Sequence, residues 1–544
     1  MKRYLLISVS VLLILFSFTN FTRNNGFEIS KQIEIFVTFY KKLNQNYVDE
    51  VNPAELMNTA ITAITNEMDP YTKFWTEQDI IASKIRSSGQ YTGIGAEVLT
   101  KNDKLFIAET YKDLPADKSG LKAGDEIVKI DDIQVSDVGA EAEELLKGEA
   151  GTKVVITYVR QGKTQITTVN RSKVEIKAVP YYKLLNDNTA YIVLQKFNQN
   201  ASSETAAALK ELKARGADKV ILDLRGNPGG LLVEAVNVCN IFIPKDQLIL
   251  YTESVNDGNN KSYKTKREPL DTDIPLAVLV NGRSASASEI VSGAVQDLDR
   301  GVVIGARSFG KGLVQTIKPL EHNTKLKVTT SRYFIPSGRC IQALDYWHKD
   351  KNGRPILIKD SDYKAFKTLN SGRTVFDGGG VLPDVEVDAT KRSGIADALI
   401  EEKAIFDFAT EYYYKNKISN IDSFKFTDSD YKDFLMFLKR INFKYETKTE
   451  ESLEEAMTHA VKEKINTSII SEYNALLKRI ENFKNTSLKT REKEIRELLS
   501  KEIVTRYFYR EGMYKNNADN SEEIETAQVI LKDPSRYNKI LGRN

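Results

Sequence analysis

Two short stretches hold residue types able to carry out nucleophilic hydrolysis. The first, Asn281-Gly282-Arg283-Ser284-Ala285-Ser286-Ala287-Ser288-Glu289, follows the apolar run Leu276-Ala277-Val278-Leu279-Val280 and leads into helical periodicity over residues 286–298. It sets hydroxyls where a strand becomes a helix. Backbone N–H groups there lack intrahelical partners and the macrodipole favours negative charge, so an oxyanion formed beside such a hydroxyl is stabilised. The same residues fit a capping box, with Ser286 capping the helix and Glu289 capping it in return. On local sequence alone Ser284 and Ser288 compete with Ser286 for a catalytic role. The second stretch, Phe309-Gly310-Lys311-Gly312-Leu313-Val314-Gln315, holds a lysine between glycines. Histidine occurs only at His322, His348 and His459, so lysine is the stronger candidate for a base. A lysine accepts a proton only when neutral, which asks for an apolar setting; Phe309, Leu313 and Val314 could supply one. If residues 312–317 form a strand, Lys311, Leu313 and Gln315 share a face, and Gln315 could orient the amine. A solvated turn lysine and an ordinary strand glutamine are the plainer readings.

A third segment, Asp223-Leu224-Arg225-Gly226-Asn227-Pro228-Gly229-Gly230, joins the apolar run 219–224 to the helical run 231–242. Its glycines would let backbone N–H groups approach a ligand, as an oxyanion donor must. A tight strand-to-helix turn explains them equally well locally. No phosphate loop of the form G-x-x-x-x-G-K-[ST] occurs.

The elements around these segments alternate. Strand-like runs at 190–194, 219–224 and 275–280 are interleaved with helical runs at 203–215, 231–242 and 286–298, an order that argues for parallel strands in an α/β core. Upstream, residues 89–169 read as short strands with glycine turns and one principal helix at 140–146. Residues 27–79 read as helices, with Ile33, Phe36, Phe39, Tyr40 and Leu43 at helical spacing and a break at Asn52-Pro53. Residues 392–544 read as charged helix with apolar positions at Leu453, Met457, Val461 and Ile465. The expected fold class is multidomain α/β.

The 78 basic and 75 acidic side chains of the 544-residue chain leave a net charge of +3. That balance offers no argument for a nucleic-acid partner or a membrane-coating surface. Lys2 and Arg3 ahead of an apolar run over residues 4–18 read as an export signal. The run is short for a spanning helix and no A-x-A-like site follows it, so a cleaved signal peptide and a retained anchor both stand. The expected location is periplasmic, or anchored in the inner membrane facing the periplasm. Cys239 and Cys340 allow one disulfide without requiring it, and no His or Cys cluster has metal-binding spacing. Neither a metal nor a cofactor is expected.

Four ordered motifs together resemble those of the C-terminal processing peptidases, or tail-specific proteases. They are Asp223 to Gly230, Ser284 to Glu289, Phe309 to Gln315, and Tyr333-Phe334-Ile335-Pro336-Ser337-Gly338-Arg339. The resemblance spans residues 27–389 and implies a role for each motif. Ser286, the middle serine of S-A-S-A-S-E, would be the nucleophile, Lys311 the general base and Gln315 its orienting partner. Ala287 and Gly230 would form the oxyanion hole by backbone N–H, with Gly229 as the alternative donor. Asp297 matches an acidic position of less defined role on the serine helix. The resemblance also implies a crotonase-like α/β peptidase core with a PDZ-like β-rich domain ahead of it and helical N- and C-terminal regions. In the PDZ domain Gly93, Ile94, Gly95 and Ala96 would cradle a C-terminal carboxylate while a peptide adds to the following strand; Ile94, Ala96, Val98 and Leu145 would line the pocket for its last side chain.

The expected organisation is a signal segment over 1–24, a helical region over 25–80, the PDZ domain over 81–172, the peptidase core over 173–390 and a helical extension over 391–544. The implied function is a serine endopeptidase acting on proteins with apolar C-terminal tails. Two other classes fit parts of the pattern: a catalytically inactive PDZ scaffold, and an acyl-CoA enzyme of the crotonase type. The serine, lysine and glutamine weigh against the first; the export signal and the inserted module weigh against the second.

Overall fold

The computed structural model describes residues 25–351, 353–387 and 392–543. The export signal expected over residues 1–24 lies outside them. The chain divides into two units, residues 1–74 and 75–544. In the first, α1 (Asn25–Asn46) and α2 (Pro53–Asn66) form where the periodicity predicts helices. Asn52 does not merely break the chain. Its side chain accepts the Ala54 N–H at 3.0 Å, and Pro53 occupies the first helical position, where its missing N–H costs nothing. The predicted apolar face is not buried: Ile33 and Phe39 are each 57% exposed.

The second unit begins with α3 (Glu77–Ser88), closed by a Thr76–Asp79 capping box. Next come β1 (Gln90–Gly93), β2 (Ala96–Lys101), β3 (Lys104–Thr110), β4 (Glu126–Ile130), β5 (Lys153–Arg160), β6 (Lys163–Asn170) and β7 (Ser172–Glu175). Strands β2 to β6 form an antiparallel sheet in chain order, which leaves β2 at an edge, and β1 pairs with β7. Ile94, Leu105, Ile107, Ile127, Val154 and Ile156 fill the core of this module. Buried Asp125 is satisfied by a two-pronged bond from Arg160, at 2.7 and 2.6 Å. Residues 140–146, read from sequence as one helix, split into a 3-10 turn (Gly139–Glu141) and the four-residue helix Ala142–Leu145. A glycine immediately before this segment and the short loop to Gly148 leave room for little more.

The third region contains β8 (Tyr181–Leu184), β9 (Thr189–Val193), α4 (Ala201–Ala214), β10 (Lys219–Asp223), α5 (Leu232–Phe242), β11 (Leu276–Val280), α6 (Ala287–Asp297), β12 (Val302–Gly305), β13 (Leu313–Pro319), β14 (Lys325–Phe334) and β15 (Val385–Glu386). A six-stranded sheet runs β8-β9-β10-β11-β12-β15, parallel from β9 onward. Its strands read as continuous apolar runs because both faces are covered. Ala190, Ile192, Val220, Leu222, Val278 and Val280 face α4, α5 and α6, while Tyr191, Val193, Ile221, Ala277, Leu279 and Ile304 face the other way.

The C-terminal region covers that second face. It comprises α7 (Gly394–Glu401), α8 (Ala404–Lys415), α9 (Asp428–Arg440), α10 (Lys448–Glu463), α11 (Asn466–Thr490), α12 (Glu492–Asn520), α13 (Glu522–Lys532) and α14 (Pro534–Ile540). Met513, Tyr514, Ile524, Ala527, Ile530 and Tyr537 pack on the sheet, and the Tyr537 hydroxyl accepts the Leu276 N–H at 3.0 Å. Of the apolar positions read on α10 and just beyond it, Leu453 and Met457 are half-buried, while Val461 and Ile465 are 55% and 46% exposed. A separate core forms around Phe408, Tyr431, Phe434, Ile495 and Leu499. The region also grips the small β module. Gly124 lies so close to α8 that a Cβ there would sit 2.3 Å from Thr410 Cγ2.

Candidate active site

The strands β10, β11 and β12 run parallel, so the loops that leave their carboxyl ends emerge on one edge of the sheet, the usual place for a ligand in such folds. These loops hold the three motifs. After β11, Ser284 Oγ donates to Leu224 O at 2.8 Å and Ser288 Oγ to Asn227 O at 2.9 Å, and both residues are fully buried. Their hydroxyls are committed to holding the loop after β10. Ser286 is half-buried and stands at the N-cap of α6 with φ 56° and ψ −109°. A residue with a Cβ is strained there, as in other sharp strand-to-helix turns that present a nucleophile. The geometry thus separates three serines that the sequence left in competition.

Glu289 turns out to do far more than cap a helix. Its carboxylate is fully buried and accepts four bonds: from Ser286 N–H at 2.7 Å, Ser308 Oγ at 2.6 Å, Gly310 N–H at 2.6 Å and Lys311 N–H at 2.9 Å. Burial pushes its pKa above the usual carboxylate range, against the pull of those donors. One side chain therefore binds the serine turn to the lysine loop. The loop is held from its far side by Gln342, whose Oε1 accepts the Gly312 N–H at 2.7 Å, and by Gly310 O, which accepts the Ala343 N–H at 3.0 Å. Sequence offered one signal for this role, an acid in the first turn of a helix that is apolar or small-residue up to Gln296 and Asp297. It could not say that α6 is buried along its whole length.

Lys311 is half-buried at the end of the loop before β13. Of the apolar neighbours expected around it, Phe309 is 49% exposed, while Val314 packs on the main core. Gln315 lies on β13 as expected, and its Nε2 donates to Thr329 Oγ1 at 3.1 Å. The β13–β14 register slips between Val314 and Gln315, an irregularity that strand alternation alone does not reveal. Tyr333, from the fourth motif, is buried and its hydroxyl points at Ser286 O at 3.4 Å.

The loop after β10 is built from glycines at positive φ: Gly226 (72°), Gly229 (97°) and Gly230 (151°). Asn227 Oδ1 takes the Gly229 N–H at 2.9 Å. A bridge to Phe197 uses Gly229 O and Leu231 N–H and leaves the Gly230 N–H out. Ala287 N–H is at the first turn of α6, where helical donors lack intrahelical partners. This arrangement favours Gly230 over Gly229 as a donor to a bound oxygen. Gly229 serves by contact: a Cβ there would lie 2.7 Å from Ala285 O and 3.0 Å from both Ala287 N and Ser286 Cβ. Gly229→Ala is expected to push the serine turn aside and lower kcat by about 100-fold, in line with ångström-scale misplacement of reacting groups. Steady-state kinetics on the folded variant would check this, and a kcat within threefold of wild type would contradict it.

Asp297 sits at the far end of α6, roughly 16 Å along the helix from Ser286. It pairs with buried Arg339 at 2.9 Å and accepts the Ser337 N–H at 2.9 Å, so it holds the fourth motif in place. Cys239 and Cys340 are both free thiols.

In the β module Gly93, Ile94 and Gly95 are buried, and Gly95 has φ 75°. Ile94 points into the core at 2% exposure; Ala96, Val98 and Leu145 pack on that core from its half-exposed side. Ile94 O and Gly95 O accept from Ala116 and Tyr111 N–H at 2.7 and 3.0 Å, fixing the turn ahead of edge strand β2.

Comparison with known proteins agrees with this architecture. The profile of peptidase family S41 matches residues 188–345, a PDZ-domain profile matches 92–170, and one described as the C-terminal helical domain of a probable PDZ-protease matches 395–531. A carboxy-terminal-processing protease of Bartonella bacilliformis is 35% identical over 330 residues, covering 59% of this chain and 75% of that protein. A Staphylococcus haemolyticus protein described as a probable CtpA-like serine protease is 35% identical over 312 residues, covering 56% of this chain and 61% of its own length. Among solved structures, the photosystem II D1 C-terminal processing protease aligns with 26% identity over 65% of this chain and 92% of that one, at a TM-score of 0.35. With its PDZ domain, its S41 domain and its helical C-terminal region, the chain belongs to the carboxy-terminal-processing protease family of serine peptidases.

Proposed function

We propose that this protein is a serine endopeptidase that cleaves proteins recognised by their C-terminal tails, with Ser286 as nucleophile and Lys311 as general base. The observation that carries the reading is the Glu289 carboxylate, bonded at once to the Ser286 N–H and the Lys311 N–H. It brings the backbones of the two proposed reacting residues to one anchoring point beside the glycine loop. The neutral Lys311 amine takes the Ser286 hydroxyl proton as the serine oxygen attacks a peptide carbonyl. The negative charge that develops on the carbonyl oxygen is met by the N–H groups of Ala287 and Gly230. Lys311, now charged, gives its proton to the leaving amine, and an acyl-enzyme remains. The same amine then deprotonates a water that releases the new carboxylate. Gln315 acts from β13 as a positioning residue. Only the neutral amine can serve, so the rate rises with pH through the lysine ionisation.

The PDZ domain selects the substrate in this proposal. Edge strand β2 accepts an extended peptide, Gly93 to Ala96 receive its terminal carboxylate, and Ala96, Val98 and Leu145 receive an apolar last side chain. Residues 1–24 would export the protein to the periplasm or keep it anchored at the inner membrane facing that compartment.

The test uses the full chain and an unfolded reporter protein with an apolar C-terminal tail. Cleavage should fall at least about tenfold in kcat/KM when the terminal carboxylate is amidated, the equivalent of a lost charge-assisted contact of ~1.4 kcal/mol. Equal cleavage of the two reporters would remove tail recognition from the proposal. Saturable binding with no product at all would favour a scaffold instead.

A further inference from the structure

The glycine loop after β10 is flexible by composition and must be held by side chains. Asn227 and Asn281 supply part of that hold. Asn281 Oδ1 accepts the Gly226 N–H at 3.0 Å, and Asn227 Nδ2 donates to Leu194 O at 2.8 Å. Arg225 supplies the rest, and its partners come from the start of its own loop and from the C-terminal helices. One edge of its guanidinium grips Asp223, with Nη2 to Oδ2 at 2.6 Å and Nε to Oδ1 at 3.0 Å. The remaining nitrogen, Nη1, reaches Ser521 Oγ at 2.7 Å and Glu523 Oε2 at 2.9 Å, at the junction of α12 and α13. Ser521 in turn donates to Glu523 at 2.7 Å, and Tyr191 donates to Asp223 at 2.7 Å. The cluster is largely shielded from solvent: the side chains of Arg225, Asp223 and Glu523 are 15%, 6% and 17% exposed. Arg225 holds the Glu523 carboxyl below the usual range even though burial opposes this. A second contact from the same helices points to the same loop. Tyr514 donates to Gln195 Oε1 at 2.5 Å, and Gln195 Nε2 lies 4.0 Å from where a Gly226 Cβ would be.

From this geometry we infer that Glu523 and Ser521 are positioning residues for the oxyanion-binding loop, so that the C-terminal helices are part of the catalytic unit. The planar guanidinium needs an acceptor on each side to stay in one orientation. Asp223 grips one edge of the guanidinium and also accepts the Arg225 N–H at 2.9 Å, which leaves the opposite edge, Nη1, to be held by the C-terminal helices. Glu523 and Ser521 hold that edge, and with it the start of the loop that carries the Gly230 N–H. The inference rests on the oxyanion role proposed for the loop.

The test compares Glu523→Ala/Ser521→Ala with wild type as full-length protein. The expected result is a fall of about 10- to 100-fold in kcat with KM within twofold. Affinity for a peptidyl boronate, whose tetrahedral adduct occupies the oxyanion site, should fall by the same factor. Glu523→Gln, which keeps an acceptor oxygen for Arg225, should recover most of the rate. In an Arg225→Ala background the double change should add nothing. Unchanged kcat, or a kcat loss with boronate affinity intact, would overturn the inference. Hydrogen–deuterium exchange gives a readout that needs no turnover: amides of residues 224–231 should exchange faster in the double variant. Unchanged exchange there overturns the positioning role alone, whereas a wild-type protein with no peptidase activity overturns the oxyanion role on which it rests.

Discussion

Ser286→Gly will abolish turnover and yield a more stable protein than Ser286→Ala. Loss of the nucleophile should lower kcat on the order of 10⁶-fold in both variants, as it does where a serine acts as one unit with its base. The stability difference has a separate origin. At φ 56° and ψ −109° the serine occupies backbone space that side chains avoid, a strain of about 1–3 kcal/mol. Alanine keeps that strain and glycine relieves it, while the freer unfolded chain of the glycine variant takes back about 0.4–1 kcal/mol. A net gain of about 1–2 kcal/mol for glycine over alanine is expected in denaturant unfolding. The strain is tolerated in the native protein because Glu289 and the bonds of Ser284 and Ser288 hold the turn on both sides. Alanine as stable as glycine would mean that the turn is relaxed, and residual turnover within 100-fold of wild type would remove Ser286 from the chemistry.

The second large effect is predicted for a substitution usually regarded as mild. Glu289→Gln replaces a carboxylate that accepts four donors by an amide with one acceptor oxygen. With its NH₂ turned to Ser308 and Gly310, the amide can donate to the Ser308 hydroxyl but opposes the Gly310 N–H; turned the other way it opposes both the Ser286 and the Lys311 N–H. Each buried donor left without a partner costs about 1–3 kcal/mol, so a destabilisation of at least about 1–3 kcal/mol is expected. Because Gly310 and Lys311 belong to the lysine loop and Ser286 to the serine turn, either orientation disturbs the anchoring, and kcat should fall at least about 100-fold. Denaturant unfolding and steady-state kinetics measure the two effects independently. A glutamine variant with wild-type stability would show that the carboxylate is not the shared anchor, and wild-type turnover would show that the anchoring does not matter to catalysis.

These expectations indicate where sequence reading reached its limit. The three glycine, serine and lysine motifs were legible because each is a local event, a strand run ending in turn residues. The parallel core was legible because strands buried on both faces leave continuous apolar runs such as Leu276 to Val280. The apolar positions at Val461 and Ile465 were legible as a helical spacing, but periodicity marks an apolar face without saying whether anything covers it, and these two are left largely exposed. The segment that does cover the sheet, residues 513–541, carries its apolar residues on three consecutive helix pieces, and no single window distinguishes them from any other amphipathic helix.

The chain's amino-acid order by itself determined the family, the α/β class, the separate β-rich module and the identity of the candidate nucleophile and base. Folding alone decided that Ser284 and Ser288 spend their hydroxyls on the loop after β10, that Glu289 ties Ser286 to Lys311, that Asp297 pairs with Arg339, and that α13 reaches Arg225. The division follows from range. Turn chemistry and side-chain alternation act over a few residues and are written in each window. A buried polar group, in contrast, must find its partner wherever the closed chain brings one, and for Arg225 that partner lies almost 300 positions away, 521 being separated by 296.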